Sequence, residues 1–218
     1  MTELHIAALV AHDSPFISQA QAAWECFSSS IIIHTDEGEG SWHERENEER
    51  SALWSKVCKA TPVGDMVLIL DDDMVPARDP RDLIHPHVDA VAFAHYDLWG
   101  YDPLTYRHDH MWTAHMRPRV WAVKMYPDMH LHTYPDRSIH CGHLPRQLPL
   151  ANVIVAPDEY SLLHHAYASP QLRESKHEQY GERHSDLTAD EREHVASIID
   201  DDPNTHLLHI GEEWPLRF

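Results

Sequence analysis

Three consecutive aspartates, Asp71, Asp72 and Asp73, are the residues of this sequence whose type and spacing point most directly to chemistry. They follow residues 66–70 (MVLIL), an apolar run with the length of a buried strand. Adjacent carboxylates repel one another, and they are costly at a buried strand end unless a cation or hydrogen bonds offset the charge. Carboxylate oxygens suit Mg²⁺ or Mn²⁺, which also bind phosphate oxygens. The triplet predicts a divalent-metal site for a phosphate-bearing ligand, with a solvent-exposed acidic turn as the alternative.

The segments around the triplet predict an α/β fold. Residues 5–11 (HIAALVA) and 31–33 (III) have the composition of short strands, as do residues 66–70. Helical patterns separate these strands at residues 16–27 and 44–59. This alternation implies parallel strands with right-handed crossovers, and ligands bound at the carboxyl ends of the strands. We therefore expect a Rossmann-like, mostly parallel central sheet flanked by helices.

Beyond the third strand the periodicity is weaker. Residues 88–95 and 152–156 are further candidate strands, while residues 96–150 are rich in Trp, Tyr, His and Pro. Flat aromatic faces suit stacking on sugar rings or bases, so this stretch is the predicted acceptor site, with loop packing as the alternative. Residues 170–183 and 188–200 predict two further helices, the second opened by a capping box.

The composition limits the classes of partner. The formal net charge is −19 without any basic run, so non-specific nucleic-acid binding is not expected, although Arg117 and Arg119 allow a local positive groove. No apolar run reaches the roughly 18 residues of a membrane span, and the first eight residues lack a secretion-signal pattern. Cys26, Cys58 and Cys141 form neither a CxxC pair nor an even set. This favours reduced thiols in a cytoplasmic protein without a membrane partner.

Residues 64–76 (GDMVLILDDDMVP) resemble the strand and DxD motif of glycosyltransferases with the GT-A fold, especially those similar to family 2. Upstream, residues 31–36 are similar to the family's second strand with its acidic end, and Arg50 matches an arginine that often precedes the DxD strand. Downstream, residues 162–170 (LLHHAYASP) resemble a C-terminal segment common in these proteins. The resemblance covers about residues 6–181.

This resemblance implies a single GT-A-like catalytic domain over residues 1–218, with a metal-dependent, hexosyltransferase-like activity. Residues 1–95 would form the nucleotide-sugar-binding half, and residues 96–182 the half that completes the acceptor and metal sites. Residues 183–218 would form a C-terminal helix and tail. The donor would be a nucleotide-sugar, with a UDP-sugar as the default.

The resemblance also implies a set of metal-binding residues. Asp71 would contact the donor ribose or the metal and its water shell, and Asp73 would ligate Mn²⁺ or Mg²⁺. His164 would complete the protein's share of the coordination, because GT-A enzymes often add a histidine from the C-terminal part. His165 is the fallback, and a histidine that only forms hydrogen bonds is the alternative for either position.

The donor's base and ribose would lie at the ends of the first two strands, at His12, Asp13 and Asp36. A carboxylate at a strand end is well placed to accept ribose hydrogen bonds. Asp72 would belong to the same donor site. Arg50 would pair with the diphosphate, for which a planar guanidinium suits bidentate contact, with a surface ion pair as the alternative.

An inverting enzyme needs a base that deprotonates the acceptor hydroxyl. The family's usual acidic pair has no clear match here, and the candidates are Asp109, Asp128 and Asp136. Asp109 is the predicted catalytic residue because aromatic residues flank it; inversion and retention both stay open. Residues 140–143 (HCGH) lack the second ligand pair of a zinc site, which favours a loop near the acceptor.

Two other classes of function stay open. A nucleotidyltransferase shares the sheet and the metal–phosphate chemistry, but typically carries a glycine-rich basic loop where residues 11–15 (AHDSP) are acidic and glycine-free. A non-enzymatic metal-binding or interaction protein would explain the 21 histidines, but not the triplet's position at a strand end. A transferase's acceptor would be a soluble saccharide, a protein or modified DNA, the last disfavoured by the net charge. The oligomeric state is not predicted.

Overall fold

The computed structural model describes residues 2–36, 42–100, 105–134, 142–181, 187–199 and 207–210. Contacts between residues divide the chain into two units, Met1–Phe93 with Arg119–Tyr160 and Ala94–Pro118 with Ser161–Phe218. Each unit is therefore assembled from two separate stretches of chain. Within the described ranges, no helix is both long enough and apolar enough to cross a membrane.

The strands of the described residues are β1 (Leu4–Ala11), β2 (Ser30–Asp36), β3 (Met66–Asp71), β4 (Met74–Pro76), β5 (Ala90–Phe93), β6 (His95–Asp97), β7 (Thr105–Arg107), β8 (Arg119–Lys124), β9 (Val153–Val155), β10 (Leu162–His164) and β11 (Leu207–His209). The α-helices are α1 (Ile17–Phe27), α2 (Trp42–Ala60), α3 (Pro170–Gly181) and α4 (Ala189–Ser197). Short 3₁₀ turns connect several of these elements.

Six strands of the first unit form one sheet in the order β2-β1-β3-β8-β5-β9. β1 pairs in parallel with β2 and β3, and β5 pairs in parallel with β9. β8 runs antiparallel to both β3 and β5. α1 joins β1 to β2 and α2 joins β2 to β3, so right-handed crossovers place the two helices on opposite faces. The predicted mostly parallel central sheet flanked by helices is confirmed.

The two inner strands of the parallel half, β1 and β3, are almost entirely buried. Every residue of β1 except Ala11 is buried, and so is every residue of β3 except Asp71. A parallel strand covered on both faces is expected to be a continuous apolar run, which is the pattern of both segments. On one face Ala7 and Ile69 pack in a cluster with Leu53 of α2. The charged triplet therefore begins where the apolar core ends.

Two tryptophans fix the flanking helices to the unit. Trp24 of α1 is fully buried, and its indole Nε1 donates a hydrogen bond to the carbonyl of Met74 at 3.0 Å. Trp54 of α2 is buried, and its Nε1 donates to the carbonyl of Met129 at 3.1 Å. A buried indole needs a partner for its single N–H, and both of these have one.

A buried aspartate anchors the antiparallel half. Asp89 precedes β5, and its carboxylate accepts the hydroxyl of Tyr126 and the backbone N–H groups of Ala151 and Asn152, the latter two at 3.1 and 2.8 Å. The Tyr126 hydroxyl, followed by the Asn152 N–H, holds the pKa of Asp89 below its ordinary value. One side chain thus ties the start of β5 to the segment after β8 and the segment before β9.

The second unit is built around aromatic side chains. β6 pairs in parallel with β10, and β7 pairs antiparallel with β11. The rings of Trp99 and Trp112 meet edge to face at 5.0 Å, and Tyr167 packs against both. The buried guanidinium groups of Arg107 and Arg173 lie 4.8 and 4.6 Å from the Trp99 ring. The negative faces of the rings compensate these buried cations.

Candidate functional site

The carboxyl ends of β1, β2 and β3 lie side by side at one edge of the six-stranded sheet. Ala11 at the end of β1 is in register with Asp36 at the end of β2. Leu9 of β1 is in register with Asp71 at the end of β3. Asp72 links the edge further, because its Oδ2 accepts the backbone N–H of Ala11 at 3.1 Å. The predicted strand-end residues Asp36, Asp71 and Asp72 therefore share one edge.

The triplet concentrates negative charge where little solvent reaches it. Asp73 is only 5% exposed. Burial, and then the charge of Asp73, raise the pKa of Asp72 to about 6, although hydrogen bonds from Ser14 and Ala11 oppose this shift. Burial and a neighbouring like charge both disfavour an ionised carboxylate, so a cation is favoured at this position. Asp73 does not lie in a solvent-exposed acidic turn.

Arg50 of α2 is buried between two carboxylates. Its Nε donates to Glu46 at 2.9 Å, and its Nη2 donates to Asp71 at 3.1 Å. Burial opposes the charge of the guanidinium, but Asp71 and Glu46 outweigh it and raise the pKa of Arg50 above its ordinary value. Its Nη1 is buried without a hydrogen-bond partner among the described residues. The ion pair is therefore internal rather than on the surface, and the diphosphate role of Arg50 stays a prediction.

Two carboxylates of the triplet have different partners. Asp71 bonds to the guanidinium of Arg50, whereas Asp72 bonds to the backbone of Ala11. The negative charge of Asp71 is thus compensated by a buried cation, which makes this carboxylate suited to accept hydrogen bonds from a donor.

His143 is a neighbour of the triplet that the sequence pattern does not reveal. Its Nδ1 lies 3.5 Å from Oδ2 of Asp71, and its ring lies 3.8 Å from the ring of Trp121 on β8. In the sequence it belongs to the HCGH segment, residues 140–143, of which residues 140 and 141 are outside the described part. The sequence shows only that His143 lies in a short segment with another histidine and a cysteine. Nothing in the neighbouring residues indicates that Asp71 is its partner.

The predicted donor residues at the first two strand ends differ in environment. His12 and Asp13 follow β1 directly and are exposed. Asp36 is buried, and both its oxygens accept hydrogen bonds from Arg45 of α2, with Nη2 to Oδ2 at 3.1 Å. Arg45 therefore fixes the orientation of Asp36. The role of these three residues toward a base or ribose stays a prediction.

His164 lies in the second unit at the end of β10. Its Nδ1 is 2.6 Å from Oδ1 of the buried Asp97 on β6. Burial alone would raise the pKa of Asp97, but the hydrogen bond and charge of His164 outweigh it and hold the pKa below its ordinary value. A carboxylate on one ring nitrogen is the usual arrangement behind a metal-binding histidine, where it orients the other nitrogen. His165 begins the 3₁₀ turn that follows.

Asp109, the predicted catalytic base, also lies in the second unit. Its Oδ2 accepts Nε of Arg107 at 2.6 Å, and its Oδ1 accepts the backbone N–H groups of Met111 and Trp112 at 2.9 and 3.1 Å. Burial alone would raise the pKa of Asp109, but these bonds, with Arg107 first, hold it below its ordinary value. Such a carboxylate binds a proton weakly, and its role as a base stays a prediction. Asp136 lies outside the described residues.

The structural similarities of this chain to known proteins include two with low scores. No protein-family model matches the chain, and no curated protein matches it. One of the two structures is a crystal structure of a glycosyltransferase involved in glycosylation of the major capsid of PBCV-1, with 13% sequence identity and a TM-score of 0.41. The alignment covers 81% of this chain and 98% of that chain. The other is HddC from Yersinia pseudotuberculosis, with 8% sequence identity and a TM-score of 0.36. The alignment covers 74% of this chain and 72% of that chain. At these scores neither similarity bears on what this chain does.

Proposed function

We propose that this chain is a metal-dependent glycosyltransferase that moves a sugar from a nucleoside-diphosphate sugar to an acceptor hydroxyl. The observation that carries the proposal is the acidic triplet at the carboxyl end of β3, beside the ends of two further parallel strands. The carboxyl edge of such a sheet is where nucleotide ligands bind in open α/β folds. The sequence resemblance of residues 64–76 to a DxD segment agrees with this placement.

The residues of the triplet suit a hard divalent cation. Asp73 offers carboxylate oxygens in a buried position, and burial, followed by the charge of Asp73, raises the pKa of Asp72. Oxygen donors of this kind fit Mg²⁺ or Mn²⁺ rather than a soft metal. When bound, the cation stabilises the negative charge that develops on the departing nucleoside diphosphate. His164 is the proposed histidine ligand, supported within its own unit by Asp97 on its Nδ1.

The remaining residues of the edge position the donor. Arg50 holds Asp71 through its Nη2, and in this way fixes the orientation of a carboxylate that would accept the ribose hydroxyls. Its buried Nη1 supplies a donor for a diphosphate oxygen. The exposed His12 and Asp13 and the Arg45-bound Asp36 would surround the base and ribose. The proposed acceptors are a saccharide or a protein, with modified DNA opposed by the net charge of −19.

Nucleotide binding with and without metal tests the donor class. UDP, GDP, CDP and ADP are each added to the full chain with and without Mn²⁺, and the melting temperature is recorded for wild type, Asp73→Asn and Glu48→Gln. Glu48 is an exposed carboxylate on α2 and serves as the charge-matched control. A ligand at about 100 times its Kd stabilises the folded state by about 2.7 kcal/mol. We expect one diphosphate to stabilise wild type and Glu48→Gln only with Mn²⁺, and Asp73→Asn to lose this response.

Product analysis separates the proposed activity from its two alternatives. A glycosyltransferase slowly releases nucleoside diphosphate from its sugar donor even without an acceptor, with water taking the sugar. A nucleotidyltransferase instead releases pyrophosphate from a nucleoside triphosphate and a sugar phosphate. A metal-binding protein releases neither product. Absence of both binding and release with every nucleotide would remove the glycosyltransferase proposal.

A further inference from the structure

A second group of metal-ligating side chains lies at the opposite edge of the six-stranded sheet, where the parallel strands begin. Glu3 directly precedes β1, His5 is the second residue of β1, and Asp65 directly precedes β3. One ligand atom from each of the three lies within 4.8 Å of the other two. Because β1 and β3 run in parallel, this group is separated from the Asp71–Asp73 end by the full length of the strands. It takes no part in the proposed sugar transfer.

His5 is held between a hydroxyl and a carboxylate. The residue is 6% exposed, with Nδ1 at 2.7 Å from Oγ of Ser30 and Nε2 at 3.2 Å from Oδ2 of Asp65. The carboxylate of Asp65 is itself oriented, because its Oδ1 accepts the backbone N–H of Glu3 at 3.0 Å. The imidazole Nε2 and the Asp65 Oδ2 are therefore directed toward each other.

The separation of these two atoms fits two ligands of one metal ion. Two atoms that each lie about 2.0 Å from a tetrahedral Zn²⁺ are about 3.3 Å apart. The observed 3.2 Å matches this value. A charge-assisted hydrogen bond between imidazole and carboxylate is usually shorter, about 2.7–2.9 Å. The 3.2 Å separation therefore fits a ligand pair, and it also lies at the long end of the range for an ordinary N–H···O hydrogen bond.

Ser30 adds an independent element to the arrangement. A histidine that binds a metal through Nε2 donates its Nδ1–H to an acceptor, which fixes the tautomer and the ring orientation. The Ser30 hydroxyl lies at hydrogen-bond distance from Nδ1 and can accept this proton. Ser30 is the first residue of β2, so the arrangement involves the beginnings of β1, β2 and β3.

We propose that Glu3, His5 and Asp65 bind a Zn²⁺ ion, with Ser30 orienting His5. The ligands are one imidazole nitrogen and two carboxylate oxygens, a set that suits zinc and leaves a coordination position for water. Glu3 is the exposed member of the three and would supply the second carboxylate oxygen. The ion fastens the starts of the three parallel strands, and its binding free energy adds to the stability of the folded chain.

Zinc titration of the full chain tests this proposal. The protein is stripped with a chelator and titrated with Zn²⁺ by calorimetry, using wild type, Glu3→Gln, Ser30→Ala and Glu193→Gln. Glu193 is the matched control, because its exposed carboxylate lies 3.7 Å from Nε2 of the exposed His110. Glu3→Gln and Ser30→Ala change exposed positions, and circular dichroism checks that both variants fold. Asp73→Asn is titrated in parallel to separate this site from the acidic triplet.

We expect wild type, Glu193→Gln and Asp73→Asn to retain a tight zinc site that raises the melting temperature. Glu3→Gln and Ser30→Ala should each weaken it by about 10–100-fold. Substitution of Co²⁺ should give the visible spectrum of a tetrahedral site in wild type and not in Glu3→Gln. Equal zinc affinity in Glu3→Gln, Ser30→Ala and Glu193→Gln would overturn the proposal. Loss of all zinc binding in Asp73→Asn would overturn it as well.

Discussion

Nη2 of Arg50 lies 3.1 Å from Oδ1 of Asp71. A buried cation on α2 is therefore bonded to the carboxylate of the last residue of β3. The same guanidinium also bonds to Glu46 one helical turn earlier. An arginine between two carboxylates reduces the negative charge at Asp71, the first residue of the triplet. Asp73 lies two residues further along the chain and is buried.

Replacement of Arg50 by Met should destabilise the protein strongly, because Glu46 and Asp71 would lose their cation. Removing one partner of a buried ion pair typically costs about 3–5 kcal/mol. Arg81→Gln is the control, since Arg81 pairs with Asp79 at an exposed position, where such pairs contribute about 0–1 kcal/mol. Urea unfolding measures both variants. Equal, small losses would contradict the assignment of Arg50 as a buried anchor of Asp71.

Asp97→Asn should weaken Mn²⁺ binding. The amide keeps the size of the carboxylate but no longer favours the proton on Nδ1 of His164. Loss of such an orienting partner typically lowers metal affinity by about 10–100-fold. Titration with Mn²⁺ detected by electron paramagnetic resonance gives the affinity, and His110→Gln is the control for an exposed histidine of the same unit. An unchanged Mn²⁺ affinity would leave the Asp97–His164 pair as a structural hydrogen bond.

Asp109→Asn should reduce stability in a pH-dependent way. The pKa of Asp109 in the folded chain is below its ordinary value, so the ionised carboxylate stabilises the fold. This contribution is fully present above the unfolded pKa of about 3.9, and it is lost as the pH falls through the folded pKa. The difference in free energy of unfolding between wild type and variant should therefore be present at neutral pH and shrink under acid conditions. Urea unfolding across this range measures it.

The same variant tests the catalytic role predicted for Asp109. Loss of a general base typically lowers the rate by about 10²–10⁴-fold. Asp190→Asn is the matched control, because Asp190 is an exposed aspartate on α4 of the same unit. If the two variants transfer sugar at the wild-type rate, Asp109 serves only the local turn that its hydrogen bonds hold together.

Tyr126→Phe should lower the melting temperature more than Tyr160→Phe. Tyr126 gives its hydroxyl to Asp89, which is buried and connects three segments of the antiparallel half. Tyr160 gives its hydroxyl to Asp82 at an exposed position. Losing a donor to a buried carboxylate costs more than losing an exposed hydrogen bond. Differential scanning calorimetry compares the two, and equal shifts would show that Asp89 is held by its backbone partners and Lys124 without a contribution from Tyr126.

The parts of the fold that the sequence predicts are those with local patterns. The apolar runs of β1 and β3 and the helical spacing of α1 and α2 lie within single segments, and the structure confirms them. The capping box at the start of α4 is also present, with Thr188 and Glu191 forming both of its hydrogen bonds. These signals depend on neighbouring residues only.

The parts that the sequence does not predict depend on distant pairing. β8 (Arg119–Lys124) lies in the aromatic-rich stretch without clear periodicity, yet it pairs between β3 and β5. The contact of His143 with Asp71 joins residues on different elements, as does that of His5 with Asp65. Chain spacing carries no information about such contacts, so the triplet was predictable and its neighbours were not.

The interruption of the first unit by residues 94–118 has a consequence for its biosynthesis. β3 ends at Asp71, but the strand that covers its open edge begins at Arg119. At about 5–20 residues per second, the ribosome needs about 2–10 s to make the intervening chain. During this interval the emerging parallel half exposes an unpaired, apolar strand edge, which is a template for aggregation. The nascent chain should therefore depend on chaperones until β8 leaves the exit tunnel.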